Sequence, residues 1–193
     1  MTEVINHHQR IYLDTNILVS LLIGDGLALR AEAWFTLQSS AFAISEWTRA
    51  EVHGVIGLRK RKGELTSTEA KAALAEFTAR AEQHLQIMRV SNEAAALAAE
   101  WLRNPDCTLQ TGDALHLAIA HTGGATVLAT LDERFAKGAQ KLKLARMKIE
   151  LIGEKVRRVE QKRAAYVVSD TATGVSVRAK NVAKAVVRKK AKR

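Results

Sequence analysis

Short apolar segments alternating with helix-forming stretches constrain this chain more than any other feature. Residues 11–14, 41–44, 85–90, 125–130 and 148–152 read as strands, with 125–130 the richest in β-branched and apolar side chains. Between them, residues 16–23, 27–38, 45–58, 66–84, 92–103 and 111–120 read as helices, and 133–144 as a basic helix or loop. Ser45, Thr66 or Ser67, and Ser91 stand where helix N-caps belong. Gly24-Asp25-Gly26 and His121-Thr122-Gly123-Gly124 break the pattern where helices should stop. Trp34, Phe35 and Leu37 are the expected core contacts of the second helix. Strands separated by helices imply a parallel sheet covered on both faces, so the expected class is α/β with three layers, α/β/α.

Four acids punctuate this pattern. Asp14 closes the run Ile11-Tyr12-Leu13, and Asp132 closes Thr126-Val127-Leu128-Ala129-Thr130-Leu131. Asp113 opens the apolar run that follows it, and Glu51 lies inside the segment 45–58. In a parallel α/β sheet, ligands bind outside the carboxyl ends of the strands, where Asp14 and Asp132 fall. Asp113 lies in a first helical turn, where the helix dipole favours a carboxylate. Carboxylates gathered near a core repel one another unless a cation neutralises them, and hard ions such as Mg²⁺ or Mn²⁺ take oxygen ligands. Taken singly, each acid has a plainer reading. Asp14 serves as a helix cap, Asp113 as a first-turn residue, Glu51 as a solvated helix residue and Asp132 as a turn former.

Charge divides the chain. Of 193 residues, 1–153 hold 17 Lys/Arg and 17 Asp/Glu, whereas 154–193 hold 13 Lys/Arg and 3 Asp/Glu, so the net +10 sits entirely in the tail. The division expected is a neutral globular body, 9–152, and a basic C-terminal extension, 153–193. The single cysteine, Cys107, excludes an intramolecular disulfide and a Cys-based zinc site. No apolar run approaches the roughly 20 residues of a membrane span, and the N-terminal residues lack a signal-peptide pattern. The chain is therefore expected in the cytoplasm and away from membranes.

Four motifs in order carry a family resemblance over roughly residues 9–152: Tyr12-Leu13-Asp14-Thr15-Asn16, the segment 45–51, Gly112-Asp113-Ala114-Leu115-His116-Leu117-Ala118 and Thr130-Leu131-Asp132-Glu133-Arg134-Phe135. Each motif is weak alone, but together they resemble PIN-domain ribonucleases, most of all the VapC toxins of VapBC toxin–antitoxin pairs. The resemblance implies a PIN-like fold and a metal-dependent endoribonuclease that cleaves a structured RNA such as tRNA, leaving a 5′-phosphate. It implies that Asp14, Glu51, Asp113 and Asp132 form the catalytic cluster and hold one or two Mg²⁺ or Mn²⁺ ions. Asp14 and Asp113 would be direct ligands, Asp132 would complete the site, and Glu51 would bind a second ion or position water. Asn16 and Thr130 would hydrogen-bond a carboxylate or phosphate oxygen. A small antitoxin is the implied protein partner, and a homodimer is left open.

Two rival functions remain at this stage: a PIN nuclease for RNA processing or DNA outside any toxin pair, and a non-catalytic RNA-binding module on the same fold. His53 and His116 read as packed or partly exposed residues and are left out of the site. Arg59-Lys60-Arg61-Lys62 reads as a helix C-terminal charge pattern, with RNA-phosphate binding as its alternative. In the tail, 167–177 suggests a hairpin and the stretch from about residue 181 a basic helix, either binding phosphates or remaining solvated.

Overall fold

In the computed structural model of the chain, residues 9–153 are described; the hairpin and basic helix expected in the tail lie outside them. Five strands, β1 (Arg10–Leu13), β2 (Ala41–Ser45), β3 (Gln86–Met88), β4 (Val127–Thr130) and β5 (Lys148–Leu151), form one sheet in the order β3-β2-β1-β4-β5. Every pairing is parallel, as long helical crossovers require. The helices are α1 (Thr15–Ile23), α2 (Ala28–Phe35), α3 (Glu46–Arg61), α4 (Ser67–His84), α5 (Asn92–Arg103), α6 (Thr111–Thr122) and α7 (Glu133–Lys141).

The pleat of β1 sorts the two cores. Ile11 and Leu13 point to one face, where they join Ile44, Val127 and Ala129 beneath α1 to α4. Tyr12 points to the other, with Ala43 and Leu128 beneath α5, α6 and α7. Burial on both faces explains why these strands are continuously apolar rather than alternating. The expected α/β/α arrangement is what the chain adopts.

Local chemistry explains most boundaries. Ser45 and Thr66 each close a reciprocal capping box, with Thr48 and Glu69 respectively, and Ser91 accepts from the Ala94 N–H. Gly24 ends α1 in the left-handed conformation, φ 64°, its N–H bonded to the Ser20 carbonyl. Two expectations need correction. Leu37 is 81% exposed, because α2 ends at Phe35 and the helical period no longer applies beyond it. The strand expected over 85–90 is only three residues long, an edge strand paired on one side by β2.

The chain enters at β1, the centre of the sheet, builds outward through β2 to β3, then returns to the other side of β1 with β4. That reversal places the carboxyl ends of β1 and β4 side by side at a topological switch point. Asp14 extends the ladder there, its N–H bonded to the Ala129 carbonyl at 3.0 Å.

Candidate active site

The four acids predicted from sequence line one cavity of about 340 Å³ at this end of the sheet. Asp14 is 6% exposed and precedes α1 without a side-chain cap bond, so its carboxylate is not consumed by the helix. Thr130, at the end of β4, donates instead to Asp14 Oδ2 at 2.6 Å. The same Thr130 hydroxyl accepts from Asn16 Nδ2 at 3.1 Å and from the Asp132 N–H at 2.9 Å. Asn16 Oδ1 accepts from the Leu131 N–H, so Asn16 ties the β1–α1 and β4–α7 junctions together rather than touching a carboxylate.

The plainer readings fare differently at each acid. Asp132 does cap its helix: Oδ1 accepts from the Arg134 and Phe135 N–H groups at 2.7 and 3.0 Å. Asp113 receives only a long bond, 3.4 Å, from the Gln110 N–H. Glu51 is not a solvated helix residue. Its Oε2 takes two short bonds, from Thr15 Oγ1 and from His116 Nε2, each 2.5 Å.

His116, read from the sequence as lying outside the site, is at its centre. It is 2% exposed, and Nε2 also lies 3.8 Å from Asp14 Oδ1. Nδ1 meets the Tyr12 hydroxyl at 2.7 Å, and that hydroxyl is bonded in turn to Ser45 Oγ and Thr48 Oγ1. The one sequence hint was position: His116 follows Asp113 by three residues, on the same helix face. His53 packs edge-on against Phe77, away from the cluster.

Electrostatics follow burial. Desolvation pushes the Asp14 carboxyl up to about 6, with the Asp113 charge adding to the rise and His116 and Thr130 opposing it. Burial also raises Asp113, reinforced by the charges of Asp132 and Glu51. Burial alone would raise Glu51 too, but the hydrogen bond and charge of His116, with Thr15 and Trp47, hold it below the ordinary value. The Trp47 indole N–H is buried and meets no acceptor in good hydrogen-bond geometry, yet it adds to this pull on Glu51.

The donor set fits a hard divalent cation: all-oxygen ligands, mutual repulsion and a carboxyl raised by burial. Among the described residues, however, no three acids or histidines converge tightly enough to ligate one ion directly. Mg²⁺ tolerates such spacing, because it commonly binds through one or two carboxylates and keeps several waters.

Solved structures share this fold. VapC20 of Mycobacterium tuberculosis, a toxin described as cleaving the sarcin–ricin loop, is 21% identical with a TM-score of 0.53, covering 66% of this chain and 93% of its own. VapBC2 of Rickettsia felis, solved on a promoter DNA fragment, is 18% identical with a TM-score of 0.54, covering 75% and 99%. VapBC-1 of nontypeable Haemophilus influenzae is 18% identical with a TM-score of 0.52, covering 74% and 98%. No curated protein matches the sequence. The PIN domain family matches residues 11–141, most of the described fold and all four acids, and the chain belongs to that family.

Proposed function

We propose that this protein is an endoribonuclease dependent on Mg²⁺ or Mn²⁺, acting as the toxin of a type II toxin–antitoxin pair on a structured RNA such as tRNA. The observation that carries the reading is the gathering of Asp14, Glu51, Asp113 and Asp132 around one cavity at the switch point of the sheet. Asp14 and Asp113 would hold the cation directly and Asp132 would reach it through water; when bound, the cation supplies positive charge to the scissile phosphate and lowers the pKa of a nearby water. Thr130 orients the Asp14 carboxylate and keeps one of its oxygens engaged. Glu51, held ionised, is the candidate to orient and deprotonate the attacking water.

A protein partner is supported by a second cavity of about 430 Å³, lined by Leu18, Leu21, Leu22, Phe35 and Phe77. An apolar groove of this kind suits the apolar face of an antitoxin helix. A basic side chain from the antitoxin would neutralise the carboxylates and compete with the cation.

The test is brief expression of the full chain beside Asp14→Asn, with cleavage sites mapped on total RNA. The reading requires growth arrest and discrete cuts from the intact chain only, both reversed by the cognate antitoxin. Cuts that persist in EDTA, or equal toxicity of both forms, would overturn it.

A further inference from the structure

The fold places His116 among carboxylates, 2.5 Å from Glu51 Oε2 and 3.8 Å from Asp14 Oδ1, where an imidazole with a free lone pair could bind a cation. The structure gives it other work. His116 lines the cavity but is only 2% exposed, and both of its ring nitrogens are engaged. Nε2 faces an ionised carboxylate oxygen at 2.5 Å, so Nε2 carries the proton and donates. Nδ1 is held at 2.7 Å by the Tyr12 hydroxyl, which is anchored by Ser45 and Thr48 and packs its ring edge-on to the imidazole, centroids 5.7 Å apart. Tyr12 is itself 0% exposed and belongs to β1, the central strand, so this series of hydrogen bonds starts from a fully buried strand paired on both sides.

At its far end stands Glu51, on α3. A glutamate has several rotatable bonds and is ordinarily mobile. Here Nε2 and the Thr15 hydroxyl both fall on Oε2, which sets the carboxylate in place and leaves Oε1 for other partners. A carboxylate positioned before substrate arrives is what acid–base chemistry demands.

We propose that His116, backed by Tyr12, is a positioning residue that fixes Glu51 through its Nε2–H and is not a cation ligand; this deepens the nuclease reading and rests on it. Glutamine extends a donor to about the place of Nε2, whereas asparagine reaches only about as far as Nδ1. His116→Gln therefore keeps the bond to Glu51 and His116→Asn loses it. Tyr12→Phe keeps the ring and removes only the hydroxyl, which loosens His116 without removing it.

Three measurements decide the matter. In RNA cleavage, His116→Asn should lower kcat by about tenfold or more with KM changed by less than about twofold, and His116→Gln should recover most of the loss. Tyr12→Phe should show a smaller fall of the same kind. In a Glu51→Gln background, His116→Asn should cause little further loss, since both act through one carboxylate. In ¹⁵N NMR of the full chain, the His116 Nε2-bound proton should persist when Mg²⁺ is added to saturation. Loss of that proton on adding Mg²⁺ would make His116 a ligand and overturn the proposal. So would a His116→Gln variant no better than His116→Asn, or effects that multiply fully in the Glu51→Gln background. An intact chain that cuts no RNA would refute the nuclease reading instead, and the Mg²⁺ titration would still judge the role of His116.

Discussion

Thr130 Oγ1 stands 2.6 Å from Asp14 Oδ2, joining the ends of two adjacent strands through the one carboxylate among the described residues that is almost fully buried. The hydroxyl can donate only once, and it donates to Asp14. Its two acceptor positions are taken by Asn16 and the Asp132 N–H. One threonine thus holds three residues of the site at once.

Thr130→Val keeps the shape and removes all three bonds. It should lower stability by about 1 kcal/mol or more, because Asn16 Nδ2 and the Asp132 N–H lose their acceptor in a partly buried place. It should also raise the Asp14 carboxyl further and weaken Mn²⁺ binding. Chemical denaturation and a Mn²⁺ titration of both proteins check this; unchanged Mn²⁺ affinity would mean that Thr130 does not tune Asp14.

Asp14→Asn should abolish cleavage and yet stabilise the cation-free protein at neutral pH. The folded carboxyl titrates near 6 against an ordinary 3.8. A raised carboxyl keeps its proton longer when folded, so its contribution is fully present below about pH 4 and is lost as pH rises through 6. The difference amounts to about 3 kcal/mol above pH 7, at 1.36 kcal/mol per unit. Urea melts in EDTA between pH 4 and 8 should show the wild type falling behind the variant across that window. Saturating Mg²⁺ should narrow the gap. A variant less stable than wild type at pH 7 in EDTA would contradict the burial argument.

Gly112 adjoins Glu51. A Cβ there would come 3.2 Å from Glu51 Oε1, so Gly112→Ala should displace that oxygen by a few tenths of an ångström. Alanine is also the better helix former, by up to about 1 kcal/mol in a helix interior and less in this first turn. Activity should therefore fall while the melting temperature holds or rises. Equal kcat in the two proteins would show that Glu51 has slack in its position.

What could be read from the chain divides by the range of the interaction. Strands ending on Asp14 and Asp132, and caps at Ser45 and Ser91, are signalled by residues within four positions of one another, and so is the α/β/α class. Leu37 and the short β3 went astray because pattern alone does not show where a helix or an edge strand stops. His116 was missed for a different reason. Its partners Tyr12 and Glu51 are 104 and 65 positions away, and only the folded sheet reveals that an apolar helix face turns its one imidazole to the carboxylates. The joint position of the four acids around one cavity was inferable, since strand ends converge in any parallel sheet. Their separations, wider than a direct ligand cage, were not.

Residues 154–193 carry the whole +10 excess, while residues 1–153 are neutral. A neutral body with an acidic cavity has little long-range attraction for RNA, so the tail is the natural source of cations for its phosphates. Removing it should weaken RNA binding about equally across sequences, since cations that meet phosphates read no bases. The dependence of log affinity on log salt should flatten by about 0.7 to 0.9 for each phosphate that the tail neutralises. Cleavage position should stay the same, because the four acids lie wholly within residues 1–153. Binding curves for the full chain and a chain ending at residue 153, measured at several salt concentrations in the inactive Asp14→Asn background, supply the slopes. A shifted cleavage site in otherwise wild-type truncated protein would show that the tail selects substrate. Identical slopes would remove it from RNA binding and leave its alternating valines, alanines and basic residues as a surface for a protein partner.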